Sequence, residues 1–164
     1  MINRVSAIAL SFLLFPFWAN PPLVSWAEMK EYTVAGESMS PALVPGDKVV
    51  VDTGMKDHIQ RGDLVSVVFS DSKVPMIKRI AAVPGDMVTF LDNAVWVNDK
   101  KIREICMRRW RSTIKQLEHF GNKVPERYYL ILGDNPLNSR DSGRLGLISQ
   151  HHLKGRGVGV SRVK

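Results

Sequence analysis

From residue 5 to residue 27 the chain carries no charged side chain, and Ile8, Leu10, Phe12, Leu13, Leu14, Phe15, Phe17 and Trp18 make that stretch densely apolar. A membrane-spanning helix needs about 20 such residues at 1.5 Å each, so residues 1–27 predict an N-terminal transmembrane helix, kinked or ended by Pro16, Pro21 and Pro22. A basic residue ahead of a short apolar core is also how a cleaved secretory signal begins. Ala19 and Ala27 each follow a bulky Trp, a poor cleavage site, which favours a retained anchor. Arg4 and the amino terminus favour a cytoplasmic start, against Lys30 on the other side. The rest of the chain then faces outward.

Beyond the anchor the period changes. Short β-branched runs occupy residues 48–51, 63–69, 74–81, 87–90, 94–97, 127–132 and 157–163. Gly-Asp pairs at 46–47, 62–63, 85–86 and 133–134 punctuate them, and turn residues between β-branched runs predict a mainly β, antiparallel protein. Asn98-Asp99 is a candidate hairpin tip. Arg61-Gly62-Asp63 reads as one of these turns and not as an adhesion signal.

A chain of 164 residues accommodates one compact domain and a short appendage. The net charge of +7 chooses no partner by itself. Nearly all of the excess lies between residues 100 and 115, where Lys100, Lys101, Arg103, Arg108, Arg109, Arg111 and Lys115 face only Glu104. Such a cluster beside Trp110 suits anionic lipid headgroups or is the solvated face of an inserted hairpin or short helix. No zinc finger, helix-turn-helix or RNA-binding motif accompanies it, so nucleic acid is not expected as a partner. Cys106 is the single cysteine, which rules out an internal disulfide, a Cys-pair zinc site and a CxxC redox site; it is expected to be inert packing.

Two residues stand out as chemistry. Ser38 lies in the loop 36–47, just beyond the apolar stretch, before Pro41 and a Pro45-Gly46-Asp47 turn. Lys78 lies inside the apolar strand pattern of residues 74–81. Burial removes the solvation of an ammonium and lowers a lysine pKa from about 10.4 toward 7 to 8, where the neutral amine accepts a proton. A lysine pointing to solvent from an alternating strand is the plainer alternative for the same pattern.

Three segments read together resemble the boxes of the type I signal peptidase family, membrane-bound serine-lysine peptidases. They are Gly36-Glu37-Ser38-Met39-Ser40-Pro41, Lys78-Arg79-Ile80 leading to Pro84-Gly85-Asp86, and the run from Gly133-Asp134-Asn135 to Ser139-Arg140-Asp141-Ser142. Their order matches too, and Arg61-Gly62-Asp63-Leu64-Val65 is similar to a fourth box. The resemblance implies a catalytic domain over residues 28–164, an antiparallel sheet or partly open barrel with a small inserted β-subdomain at about 87–126. It implies Ser38 as nucleophile, Lys78 as general base, the Ser38 backbone N–H as oxyanion donor, Ser139 as the serine that orients the amine, Asp141 as a supporting acid and Met39 as a shaper of the substrate pocket. No metal or cofactor is implied. The histidines at 58, 119, 151 and 152 fall outside the boxes and read as surface or packing residues.

Two positions depart from the family pattern. Some members supply a second oxyanion donor from a hydroxyl two residues before the nucleophile, and Gly36 stands there. The family commonly follows its Asp-Ser with arginine, whereas this chain reads Asp141-Ser142-Gly143-Arg144, so an Asp-Arg pair is expected from Arg144 or not at all.

The expected partners are exported precursors and the lipid bilayer, with no obligate protein partner. The expected place is the plasma (inner) membrane, crossed once, with the catalytic domain outside. The short insertion also fits compact members dedicated to conjugative transfer or organelles. Two rivals remain at this stage. A self-cleaving LexA-type repressor predicts an N-terminal DNA-binding domain where this chain has an apolar anchor. A membrane-anchored binding module predicts no contact between Ser38 and Lys78.

Overall fold

The computed structural model describes residues 28–55, 58–69 and 71–163. The expected anchor at 1–27 lies outside the described residues, and among these no helix is long and apolar enough to cross a membrane.

The chain runs through β1 (Met29–Thr33), β2 (Lys48–Asp52), β3 (Leu64–Val67), β4 (Met76–Ala82), β5 (Val88–Leu91), β6 (Ala94–Val97), β7 (Lys100–Glu104), α1 (Met107–His119), β8 (Tyr128–Leu132), α2 (Ser142–Leu145), β9 (Ile148–Ser149) and β10 (Leu153–Ser161). Seven strands form one antiparallel sheet in the order β1-β2-β10-β3-β4-β8-β9, and β5-β6-β7 form a second. The larger sheet is open, with β1 and β9 at its edges, so the partly open barrel appears as a sheet without closure.

The runs of β-branched residues become β2, β3, β4, β5, β6, β8 and β10, each within a few residues of the sequence reading. One turn device sets three of the connections. In Val44-Pro45-Gly46-Asp47, Gln60-Arg61-Gly62-Asp63 and Val83-Pro84-Gly85-Asp86 the glycine has φ of 97°, 91° and 87°, a left-handed conformation that glycine adopts without a Cβ clash. Each aspartate N–H donates to the carbonyl three residues back, and its carboxylate accepts from that residue's N–H at 3.0, 2.8 and 2.9 Å. The turns are thus closed twice. Asn98 and Asp99, with φ of 47° and 62°, form the two-residue tip that joins β6 to β7.

The insertion is not purely β. Residues 107–119 form a helix that buries Trp110, Thr113 and Leu117 on one side and exposes Arg108, Arg111 and Lys115 on the other, the spacing of an amphipathic surface helix. The basic segment is therefore divided between β7 and α1. Cys106, just ahead of α1, is exposed, which corrects the expectation of inert packing: the residue caps the helix start and has no core to enter. Trp110 and Leu117 join Val88, Val95 and Val97 of the small sheet with Leu130 and Leu132 of β8 in one core cluster. Burial of this kind contributes about 1.5–3 kcal/mol per large aliphatic side chain, and it fixes the insertion against the strand that leads into the Gly133–Ser142 segment.

Candidate active site

Ser38 sits in the connection from β1 to β2, a stretch held down by its own apolar residues. Met39 and Leu43 point inward and join Val34, Val49 and Val51 in a cluster against Leu64 and Ile77. Met39 is 1% exposed, so it supports the Ser38 loop from beneath and presents almost no surface to a ligand. Ser38 next to it is half-buried.

Lys78 comes from β4, whose alternating burial puts Lys78, Ile80 and Ala82 on the inward row. It pairs with Val65 of β3 and is 1% exposed. Its Nζ donates to Ser38 Oγ at 2.8 Å and to the Ile77 carbonyl at 2.9 Å. Loss of solvation pushes its pKa down to about 8, against an opposing pull from the carboxylates of Asp141 and Asp134. A neutral amine at this distance from a hydroxyl can take its proton. The expected pair is thus in contact, and the lysine is the buried one that the strand pattern allowed, not the solvent-facing one.

The neighbour Arg79 points to the opposite face. Its Nε and Nη2 donate to the two oxygens of Asp134 at 2.9 and 2.7 Å, and its Nη1 donates to the Gly62 carbonyl at 2.8 Å. The arrangement holds its pKa above the ordinary arginine value, chiefly through the Asp134 bond. This fork ties β4 to the Gly133-Asp134 segment. Sequence reasoning gave these two residues no role, although both lie within the quoted boxes.

Gly133 is where the Ser38 loop and the Gly133–Ser142 segment touch. A Cβ there would lie 2.3 Å from Ser139 Oγ and 2.4 Å from the Ser38 carbonyl oxygen, so only glycine permits the approach. The same Ser38 carbonyl accepts from Asn135 N–H at 3.0 Å. The Ser38 N–H donates to no group among the described residues. Gly36, two residues earlier, is exposed and has no side chain to add a second donor.

Ser139 is 6% exposed, yet its Oγ has no hydrogen-bond partner among the described residues. Lys78 is held by Ser38 Oγ and the Ile77 carbonyl, so the expected orienting bond from Ser139 is not made in this conformation. Asp141 is 3% exposed. Its Oδ1 accepts from Gly143 N–H at 3.1 Å, and its Oδ2 accepts from Gly133 N–H at 3.1 Å and from Arg103 Nη2 at 3.0 Å.

The aspartate therefore has an arginine partner, but not the expected one. Arg144 is exposed and contributes only its backbone N–H, to the Asp141 carbonyl. The guanidinium comes from Arg103 on β7. A side chain at 143 has no room, because a Cβ on Gly143 would lie 2.7 Å from Trp110 Nε1 and 2.8 Å from its Cε2. The Gly143 departure was visible in the sequence; the residue that fills the gap was not.

Of the histidines, His58, His119 and His151 are exposed, and His152 packs on Phe69 with its Nδ1 3.1 Å from the Val68 carbonyl. Among the described residues none of the four bonds to Ser38 or Lys78, and no group of three or more His, Cys, Asp or Glu could hold a metal ion.

Residues 4–161 match the family model described as "Signal peptidase, peptidase S26". The chain is 34% identical over 160 residues to a signal peptidase I of Bacillus amyloliquefaciens, an alignment covering 92% of this chain and 78% of the relative. It is 32% identical over 160 residues to signal peptidase I T of Bacillus subtilis strain 168, with the same coverage of both. It is 32% identical over 173 residues to signal peptidase IB of Staphylococcus aureus strain COL, covering 95% and 84%. A crystal structure of a signal peptidase I from Enterococcus faecalis V583 is similar over 60% of this chain and 95% of that one, with a TM-score of 0.42 and 24% identity, too loose a likeness to support detail. With nearly the whole length matched by the family and by these relatives, the chain belongs to the signal peptidase family, peptidase S26.

Proposed function

We propose that this chain is a membrane-anchored serine endopeptidase that removes N-terminal signal peptides from exported precursors, with Ser38 as nucleophile and Lys78 as general base. The observation that carries the reading is the 2.8 Å contact between Lys78 Nζ and Ser38 Oγ. Burial that brings the amine to about 8 supports it, because a base poised near working pH is the efficient one.

Ser38 Oγ attacks the scissile carbonyl as its proton passes to Lys78 Nζ. The negative charge on the carbonyl oxygen is met by the unspent Ser38 N–H. The ammonium of Lys78 then protonates the departing amine, leaving an ester on Ser38 and a neutral Lys78. Water, deprotonated by the same amine, hydrolyses the ester and frees the serine. Ser139, buried against Gly133 with unused hydrogen-bonding capacity, is retained as the residue that orients the amine. Asp141 braces the segment that carries it.

The precursor binds as an extended segment beside the Ser38 loop and β4, by strand addition with shallow pockets for small side chains. Met39 fixes the floor of that groove. Anchoring of enzyme and precursor in one bilayer, by residues 1–27 on the enzyme side, raises their effective concentration. The domain works on the outer face of the plasma (inner) membrane.

The test expresses the full chain beside exported precursors from its own genetic neighbourhood and sequences the mature N-termini. The wild type produces a new N-terminus, and Ser38→Ala and Lys78→Ala each abolish it while remaining folded and membrane-bound. Full processing by either variant in cells lacking other signal peptidases would falsify the serine-lysine mechanism.

A further inference from the structure

The two halves of the Arg103 guanidinium reach the site from outside the catalytic sheet. Nη1 donates to the Gly133 carbonyl at 2.7 Å, and Nη2 donates to Asp141 Oδ2 at 3.0 Å. That same carboxylate oxygen accepts from Gly133 N–H at 3.1 Å. Both polar groups of Gly133 are therefore held by one ion pair, and Gly133 lies so close to Ser38 and Ser139 that a Cβ there would clash with both. Arg103 belongs to β7, in the small inserted sheet, and is mostly buried. Trp110 of α1, 3% exposed, occupies the space beside Gly143 that a side chain from the aspartate's own segment would need.

We infer that Arg103 is a positioning residue for the Ser38-Lys78 pair, supplied by the insertion in place of an arginine that Trp110 excludes from position 143. This rests on the serine-lysine reading above. The insertion is then part of the catalytic machinery and not merely an accessory: α1 closes position 143 with Trp110, and β7 delivers the guanidinium. The sequence exchange is self-consistent, because either change alone leaves Asp141 without its cation or puts two groups in one space.

The ion pair also acts on the charge balance around the amine. The charged groups set against Lys78 are Asp141, paired with Arg103, and Asp134, paired with Arg79; β3 opposes it with Val65. Removing Arg103 leaves the Asp141 carboxylate uncompensated in a buried place. An uncompensated carboxylate holds the proton on the amine more firmly, so the acidic limb of the activity moves to higher pH. Loss of the bond to the Gly133 carbonyl loosens the contact with Ser38, and small misplacements of reacting groups cost about 10- to 100-fold in rate.

The experiment compares the wild-type full chain in detergent or vesicles with Arg103→Gln, Arg103→Lys, Arg103→Ala for chemical rescue and, as the control for the dyad, Ser38→Ala. The substrate is a precursor peptide, and kcat and KM are followed across pH, with a thermal melt of each variant. Arg103→Gln is expected to lose about 10- to 100-fold in kcat with KM little changed, and its acidic limb rises. Arg103→Lys keeps the charge but reaches only one of the two acceptors, so it restores the limb and recovers only part of kcat. Added methylguanidinium raises the rate of Arg103→Ala and not that of the wild type. A kcat and pH limb of the wild type in Arg103→Gln overturns the assignment, as does equal loss in Arg103→Lys and Arg103→Gln. If Arg103→Gln does not fold, the Arg103→Lys profile and the rescue decide the matter. Cleavage that survives Ser38→Ala overturns the serine-lysine reading instead, and the two failures are thereby told apart.

Discussion

Lys78 and Ser38 are 40 positions apart in the chain, and Lys78 Nζ reaches Ser38 Oγ at 2.8 Å from a site that is 1% exposed. A hydrogen-bonded amine in so dry a place is poised between its two charge states, at a pKa of about 8. Only the neutral amine can take the serine proton. Cleavage is therefore expected to rise with pH through about 8 and to fall about tenfold per unit below it. The measurement is kcat/KM from about pH 6 to about pH 9 on a substrate with no ionisable group in that range. An activity flat over that interval removes Lys78 as the base.

The same burial has a thermodynamic consequence of opposite benefit. The folded-state pKa of Lys78, about 8, lies below its ordinary value of 10.5. Below about 8 both states hold the proton, and the buried ammonium costs its full amount. Between the two values the unfolded chain binds more protons, so stability rises with pH, and above 10.5 the cost is gone. At about 1.4 kcal/mol per unit, Lys78→Met is expected to be more stable than the wild type at neutral pH by up to roughly 3 kcal/mol. The advantage shrinks toward zero as pH approaches 10.5. Urea midpoints of both proteins at several pH values check it. A Lys78→Met variant less stable at neutral pH would mean that the bonds to Ser38 and Ile77 outweigh the desolvation of the charge.

How far the sequence disclosed this molecule depended on the kind of signal. Strands β2 and β8 bury alternate or successive apolar side chains, and β4 buries Lys78, Ile80 and Ala82 in alternation; such runs between Gly-Asp turns are legible without coordinates. Strand β1 and strand β7 are mostly exposed; Lys100-Lys101-Ile102-Arg103-Glu104 has no apolar alternation and reads as charge alone. Helix α1 buries only Trp110, Thr113 and Leu117 as its fixed face, and its arginines mask that period. At the site, Ser38 and Lys78 were legible because each sits in a short local motif. Arg103 was not, since its bonds span 30 and 38 positions and depend on where a small sheet docks. Gly143 was a local trace of that arrangement, and it marked the absence of a side chain without naming the replacement.

The approach of Gly133 to Ser38 makes a sharp steric prediction. Gly133→Ala places a methyl group within 2.4 Å of the Ser38 carbonyl and 2.8 Å of Ser139 Cβ, neither of which is the end of a long flexible side chain. Overpacking of this kind costs about 1–3 kcal/mol of stability. The displacement falls on the peptide unit of Ser38, so kcat is expected to drop about 100-fold while the melting curve remains cooperative. Single-turnover cleavage with a parallel urea titration measures both. Wild-type kcat in Gly133→Ala would show that the two segments do not need this contact.

Gly36, two residues before Ser38, offers a prediction in the other direction. The Ser38 N–H has no acceptor among the described residues, and Gly36 contributes no side-chain donor. A Cβ at Gly36 meets nothing within 4 Å, and its backbone is not left-handed, so a side chain can be added there without strain. A preorganised oxyanion donor is worth about 100- to 1000-fold. A hydroxyl on an exposed loop is less well ordered and realises a fraction of that. Gly36→Ser is expected to raise kcat about tenfold with KM unchanged, because the added bond strengthens as charge develops on the oxygen. Gly36→Ala supplies the control: it stiffens the same loop without a donor and gives no such gain. If the serine variant is no faster than the alanine variant, the hydroxyl does not reach the oxyanion, and the Ser38 N–H serves without help from that position.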